Sequence, residues 1–183
     1  LNAPDLAVRA ENAGIARIVI HGRTRCQFYK GHANWDAISL VKNAVSIPVI
    51  ANGDIIDAGT AKTALDASGA DGVMIGRGAQ GRPWVLRDVA AQLSGNVAPA
   101  PPQGSAFIQL VSDHYDAMLS FYGTQMGGKA ARKHLGWYMD QCAPEPNLRK
   151  AVLTERDPKK VFNLLPDALA TPLATHQGAG QAA

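Results

Sequence analysis

Three short stretches of this chain hold side chains that could do chemistry: His21-Gly-Arg-Thr-Arg25, Asn52-Gly53-Asp54 and Gly76-Arg77-Gly78. Glycine lets backbone N–H groups close on an anion, and a helix start nearby adds a favourable dipole. Arg77 could add a forked, charged contact to the same anion. Together Asn52, Gly53, Asp54, Gly76 and Arg77 suit a phosphate, whereas either loop alone could serve only as a tight turn. His21 could donate to a ring or a carbonyl, or make a structural hydrogen bond. Arg23 and Arg25 could meet anionic groups, with Arg25 alternatively a solvated loop charge.

A basic cluster lies further along. Lys129, Arg132 and Lys133 are spaced i, i+3, i+4, which places them on one helix face. His134, Trp137 and Tyr138 follow closely. Basic side chains position an RNA backbone and aromatic rings stack on bases. The competing reading is a solvated basic face with Trp137 and Tyr138 in the core.

These residues need elements to hold them. Residues 2–13 read as a helix that Asn2 could cap and Gly14 could end. Apolar runs begin near positions 17, 47 and 72, each short and β-branched, as in strands buried on both faces of a parallel sheet. Helices starting near Asn34 and Asp57, and one over about 83–93, alternate with them, which means βα units. The chemistry-bearing stretches follow the strands, where α/β folds gather function. Three such units do not close an eight-stranded barrel. The chain also opens on a helix with no strand before it, so it reads as part of a larger barrel. The expected organisation is α/β over 1–95, a proline-rich linker over 96–104, helices over 105–171 and a frayed tail over 172–183. In the helical part, Ser105 could cap a helix with Phe107, Ile108, Val111, Tyr115, Met118 and Tyr122 on one stripe. A second helix is expected over about 128–142, with shorter ones over 147–154 and 158–170.

Composition sets outer bounds. The chain has 183 residues, 46% hydrophobic and 18% charged, which excludes general disorder. A net charge of +3 permits a phosphate-bearing partner without demanding one. No apolar run approaches the roughly 18 residues of a membrane span, and the first residues do not form a signal peptide. Two cysteines, Cys26 and Cys142, cannot build a disulfide framework, so a reducing cytoplasmic setting is expected, with no metal.

The stretches HGRTRCQFYKGHANW, IPVIANGDI and ADGVMIGRGAQGRPW together resemble the tRNA-dihydrouridine synthase family, its bacterial B-type members above all. The resemblance continues into Ala131-Arg-Lys-His-Leu-Gly-Trp-Tyr138 and so covers nearly the whole chain. It implies the C-terminal part of an FMN-bearing TIM (β/α)8 barrel followed by an all-α tRNA-binding domain, monomeric at full length. It implies reduction of uridine to 5,6-dihydrouridine in tRNA, with NADPH recharging the flavin. By motif, His21 would contact FMN or the uracil, Asn52, Gly53 and Asp54 the ribityl-phosphate arm, and Gly76 and Arg77 the phosphate. Arg23, Lys129, Arg132 and Lys133 are the expected substrate or RNA contacts. The family's general-acid cysteine, in an Asn-x-x-Cys-Pro stretch, is expected upstream, so no catalytic residue is assigned within this chain. Cys26 sits at a variable position of the HGRTR loop, and Cys142 reads as a small core residue. The alternatives are another FMN barrel acting on a small molecule, or an RNA-binding helical fragment without activity.

Overall fold

The computed structural model describes residues 2–28 and 30–171. They divide into two compact units. The first runs up to Ala79 and resumes over Pro83–Pro99; the second comprises Gln80–Arg82 and the chain from Ala100 onward. The expected tail, 172–183, lies outside the described residues.

The first unit alternates helix and strand: α1 (Ala3–Asn12), β1 (Ile18–His21), α2 (Asp36–Lys42), β2 (Val49–Asn52), α3 (Ala58–Ser68), β3 (Gly72–Met74) and α4 (Val85–Leu93). The strands form a parallel sheet in the order β1-β2-β3. Local sequence explains the helix ends. Asp57 caps α3 by accepting from the Thr60 N–H at 2.7 Å, and Gly69 ends it in the left-handed conformation. Asn2 precedes α1 as expected, but its side chain makes no capping bond; Pro4 in the first turn needs no donor partner.

Register fixes which side chains share a face. Ile18, Ile20, Val49, Ala51 and Val73 face the helices, where Val49 and Ala51 are fully buried with Ala7, Ile38 and Val41. Ile55, Ala61, Ala64, Val85 and Val89 form an adjoining cluster. Val19, Ile50, His21, Asn52 and Met74 share the other face, on which Val19 and Met74 are exposed. The expectation of strands buried on both sides thus holds for only one side of this sheet among the described residues. The same register places His21, Asn52 and Met74 side by side at the strands' C-terminal ends.

The second unit is built from α5 (Ser105–Cys142), α6 (Pro146–Thr154) and α7 (Pro158–Ala168). Its longest element is two helical arms. Gly123 adopts φ 75° and ψ 162°, which no helix accommodates, and the chain reverses there. A Cβ on Gly127 would lie 2.9 Å from Leu119 Cα, and the Phe107 and Tyr138 rings meet at 6.0 Å. Pairings that run 107 to 138 and 119 to 127 define an antiparallel αα-hairpin. The second arm therefore begins just after Gly123, earlier than the expected start near 128. Gly104, with φ 55°, is the N-cap in place of Ser105. Phe107, Val111 and Tyr115 are buried as the stripe requires, but Tyr122 is exposed, because the arm ends one residue beyond it. In the same unit Gly81, at φ 72°, lies so close to the Trp137 carbonyl that only a glycine fits.

Candidate functional site

The strand ends converge on one carboxylate. Asp54, two residues past β2, accepts from Arg23 Nη1 at 2.8 Å and Nη2 at 2.7 Å, a bidentate pair. It also accepts the Ala33 N–H at 2.7 Å, and Arg77 Nη2, from the loop after β3, stands 3.7 Å away. Burial works to raise the Asp54 pKa, but the Arg23 and Ala33 hydrogen bonds and the Arg23 and Arg77 charges outweigh it and hold the carboxyl below its ordinary value. Two guanidiniums against one carboxylate leave the cluster net positive, a field suited to an anion.

Arg23 is spent internally. Its side chain is only 4% exposed, and Nε and Nη2 also donate to the Lys30 carbonyl at 3.3 Å and the Gly31 carbonyl at 2.6 Å. It thereby ties the loop after β1 to the loop after β2. Arg25 is exposed in a 3-10 turn (Arg25–Gln27) stapled by reciprocal Thr24 and Gln27 bonds.

His21 accepts the Arg23 N–H at Nδ1, 3.0 Å away. An unprotonated ring must then carry its hydrogen on Nε2, which makes that nitrogen a donor. The ring packs on Gly53: a Cβ there would sit 3.0 Å from His21 Cε1 and 2.9 Å from Ala33 Cβ, and Gly53 has φ 111°. The Gly53 carbonyl accepts from Trp35 Nε1 at 2.9 Å, a role that the apolar spacing of α2 did not reveal. Asn52 donates to the Met74 carbonyl at 2.7 Å, which links the ends of β2 and β3.

Gly76 differs from these packed positions. A Cβ there would meet nothing within 4 Å, so its backbone is open to close approach by a ligand. Next to it, Arg77 is exposed at the start of a 3-10 turn (Arg77–Ala79). Open glycine backbone, an exposed guanidinium and net positive charge suit an anion such as a phosphate.

A family model described as dihydrouridine synthase matches residues 1–172. This chain belongs to the dihydrouridine synthase family. It is 54% identical over 170 residues to a Rhodobacter capsulatus protein named "Probable tRNA-dihydrouridine synthase", an alignment covering 93% of this chain and 52% of that one. A Rickettsia conorii protein of the same name is 43% identical over 176 residues, covering 96% and 53%. The Yersinia pestis "tRNA-dihydrouridine synthase B" is 43% identical over 168 residues, covering 91% and 49%. The chain thus spans about half the length of the curated relatives it matches.

The second unit carries the basic cluster that the sequence singled out. Lys129 and Lys133 are exposed, while Arg132 is half-buried and its Nε is shut from solvent without a partner among the described residues. The three basic residues share one arm, but only the lysines turn fully outward. Tyr138 is buried and bonded to His114 Nδ1 at 2.9 Å, so it offers no stacking face; Trp137 is half-buried against His134. Cys142 is buried, with Sγ 3.5 Å from the Ala168 carbonyl, and burial pushes its pKa up, as for a core thiol. Cys26 is exposed. Among the described residues no cluster of His, Cys, Asp and Glu could hold a metal, and no helix is long and apolar enough to cross a membrane.

Proposed function

We propose that this chain supplies the flavin-phosphate loops and an RNA-facing helical arm to an enzyme that reduces uridine to 5,6-dihydrouridine in tRNA. FMN would be its bound cofactor and NADPH its reductant. The reading rests on one observation above all. Arg23, Asp54 and Arg77 converge at parallel strand ends beside the open backbone of Gly76, in a chain of the dihydrouridine synthase family. The three strands would be part of a (β/α)8 barrel, with Val19, Ile50 and Met74 facing its interior.

When bound, the flavin supplies hydride transfer to the uracil ring. The chain's own residues hold and orient. Gly76 and Arg77 take the phosphate. Asn52, Gly53 and Asp54 border the ribityl arm, with Asp54 acting through the charges it gathers, since its oxygens are engaged. His21 offers its Nε2 hydrogen to the flavin or the uracil. Arg23 is a positioning residue that fixes the loop bearing His21. A cysteine outside these residues would be the general acid. Lys129 and Lys133 would meet tRNA phosphates, with Arg132 supporting their arm. The enzyme would act as a monomer in the cytoplasm.

The test uses the full-length protein. Arg77→Ala should weaken FMN binding by about 1.5–3 kcal/mol, the size of a charge-assisted contact to phosphate. A flavin titration with unchanged affinity would return Arg77 to the surface. The full-length enzyme should also form dihydrouridine in tRNA with NADPH, and failure to do so would remove the activity.

A further inference from the structure

The tip of the αα-hairpin exposes apolar surface that the fold does not use. Phe121 is 79% exposed, Tyr122 56% and Met126 59%. All three flank Gly123, where the arms reverse, and a Cβ on Gly123 would meet nothing within 4 Å. The Phe121 and Tyr122 rings pack edge to face, with centroids 4.7 Å apart and an interplanar angle of 81°. Each ring thus limits the other's freedom, which lowers the entropy cost of presenting a flat face to a ligand.

Charge indicates the occupant. Met126, Lys129 and Lys133 follow at i, i+3 and i+7, so the exposed thioether and two exposed lysines run down one face of the second arm from the tip. Neither lysine has an ion-pair partner among the described residues. Asp113 and Asp116 lie on the first arm, and Gln109 holds Asp113. An apolar aromatic end that continues into an unneutralised basic stripe matches a polyanion with exposed ring faces. Unpaired RNA has that character: phosphates for the lysines and bases for the rings. A duplex hides its base faces, and a purely apolar protein partner would leave the lysines unanswered.

We propose that Phe121 and Tyr122 form a stacking platform for an unpaired base of the RNA whose phosphates Lys129 and Lys133 meet. This rests on the tRNA reading above and adds a base contact to it. The platform tells looped-out from paired RNA, which phosphate contacts alone do not.

The test compares the full chain with Phe121→Ala/Tyr122→Ala and with Lys129→Ala/Lys133→Ala. The probes are a labelled tRNA transcript, a short oligouridine and a blunt RNA duplex of equal length. The aromatic variant should lose about 5- to 100-fold in affinity for tRNA and oligouridine, with duplex binding and the salt slope unchanged. Phe121→Trp should keep the affinity, and circular dichroism should show intact helices. The lysine variant should instead flatten the salt dependence for all three probes. If the lysine variant weakens binding while the aromatic variant matches the parent, the platform is overturned and the tRNA reading stands. If the parent binds none of the RNAs, both fall. If the parent self-associates and the aromatic variant does not, the tip is a contact between copies and the platform is overturned.

Discussion

Arg23 and Asp54, 31 residues apart in sequence, meet through two parallel hydrogen bonds of 2.8 and 2.7 Å. Each belongs to a loop at a strand's C-terminal end, so the pair fastens neighbouring loops together above the sheet. Their removal should therefore act on geometry before it acts on chemistry. Arg23→Lys cannot reproduce the fork and should cost about 1–3 kcal/mol of stability, a buried-pair figure reduced because Asp54 keeps some contact with water. Urea unfolding checks this, and an unchanged midpoint would make the pair decorative.

Acid should release the same latch. The folded-state pKa of Asp54 lies below its ordinary value of 3.8. A group with a depressed pKa contributes stability that is complete above the unfolded value and is lost as pH falls through the folded one. The latch should thus be intact above about pH 5 and should open progressively below 3.8. Thermal melts of the parent and Asp54→Asn should diverge at neutral pH and converge in strong acid. A gap that persists at the lowest pH would show that charge is not what holds the loops.

Gly53 supplies a sharper steric test. An alanine there would place Cβ 2.9 Å from Ala33 and 3.0 Å from His21, at a φ of 111°. Strain and overlap together should cost about 2–4 kcal/mol and displace the imidazole. Gly76→Ala, with open space at its Cβ, should cost under about 1 kcal/mol. It should nonetheless hinder FMN binding in the full-length protein, because its methyl would occupy the phosphate's approach. Equal melting temperatures for the two variants would contradict this contrast.

The βα alternation and the loops after the strands were legible because buried β-branched runs and glycine turns are local signals. The roles of Arg23 and Asp54 were not, since both are charged loop residues and only the sheet register brings them together. Trp35 read as an apolar helix-face residue, yet its indole N–H holds the Gly53 carbonyl. The two arms of α5 were legible as separate helices, but not the reversal at Gly123, whose positive φ the chain does not advertise among several glycines. Arg132 carries the i, i+3 spacing of a surface cluster, but the arm's buried stripe through Ala131 and Leu135 draws its Nε inward.

The hairpin should respond to mild acid. His114 is half-buried against Tyr138 and His134, and desolvation lowers its pKa below 6.5; desolvation and the His114 charge lower that of His134. Both folded values lie under the unfolded one, so stability is complete above pH 6.5 and declines as pH falls through the folded values. Burial pushes the Tyr138 hydroxyl up to about 12, so it stays protonated beside His114 Nδ1, 2.9 Å away, across this range. A melt of the chain at pH 7.5 and pH 5 should show the loss. His114→Gln/His134→Gln should reduce it to the carboxylate background, and an undiminished loss would place the titrating groups elsewhere.

Arg132 separates support from contact in the basic arm. Among the described residues its Nε is buried without a hydrogen-bond partner, a group that costs desolvation and returns nothing. Arg132→Met keeps the aliphatic stem that packs the arm and removes the stranded donor, so stability should stay within about 0.5–1 kcal/mol of the parent or rise. Arg132→Ala removes the stem as well and should cost about 1–2 kcal/mol. Neither should change the salt dependence of tRNA binding much if the lysines alone face the phosphates. Lys129→Ala/Lys133→Ala should lower the log–log slope by about 1.5–2 units, as expected for two contacts. Chemical denaturation and tRNA titrations at several salt concentrations measure both quantities on the same proteins. A slope loss in Arg132→Met equal to that of one lysine would place its guanidinium on the RNA and restore the three-residue face that the helical spacing implied.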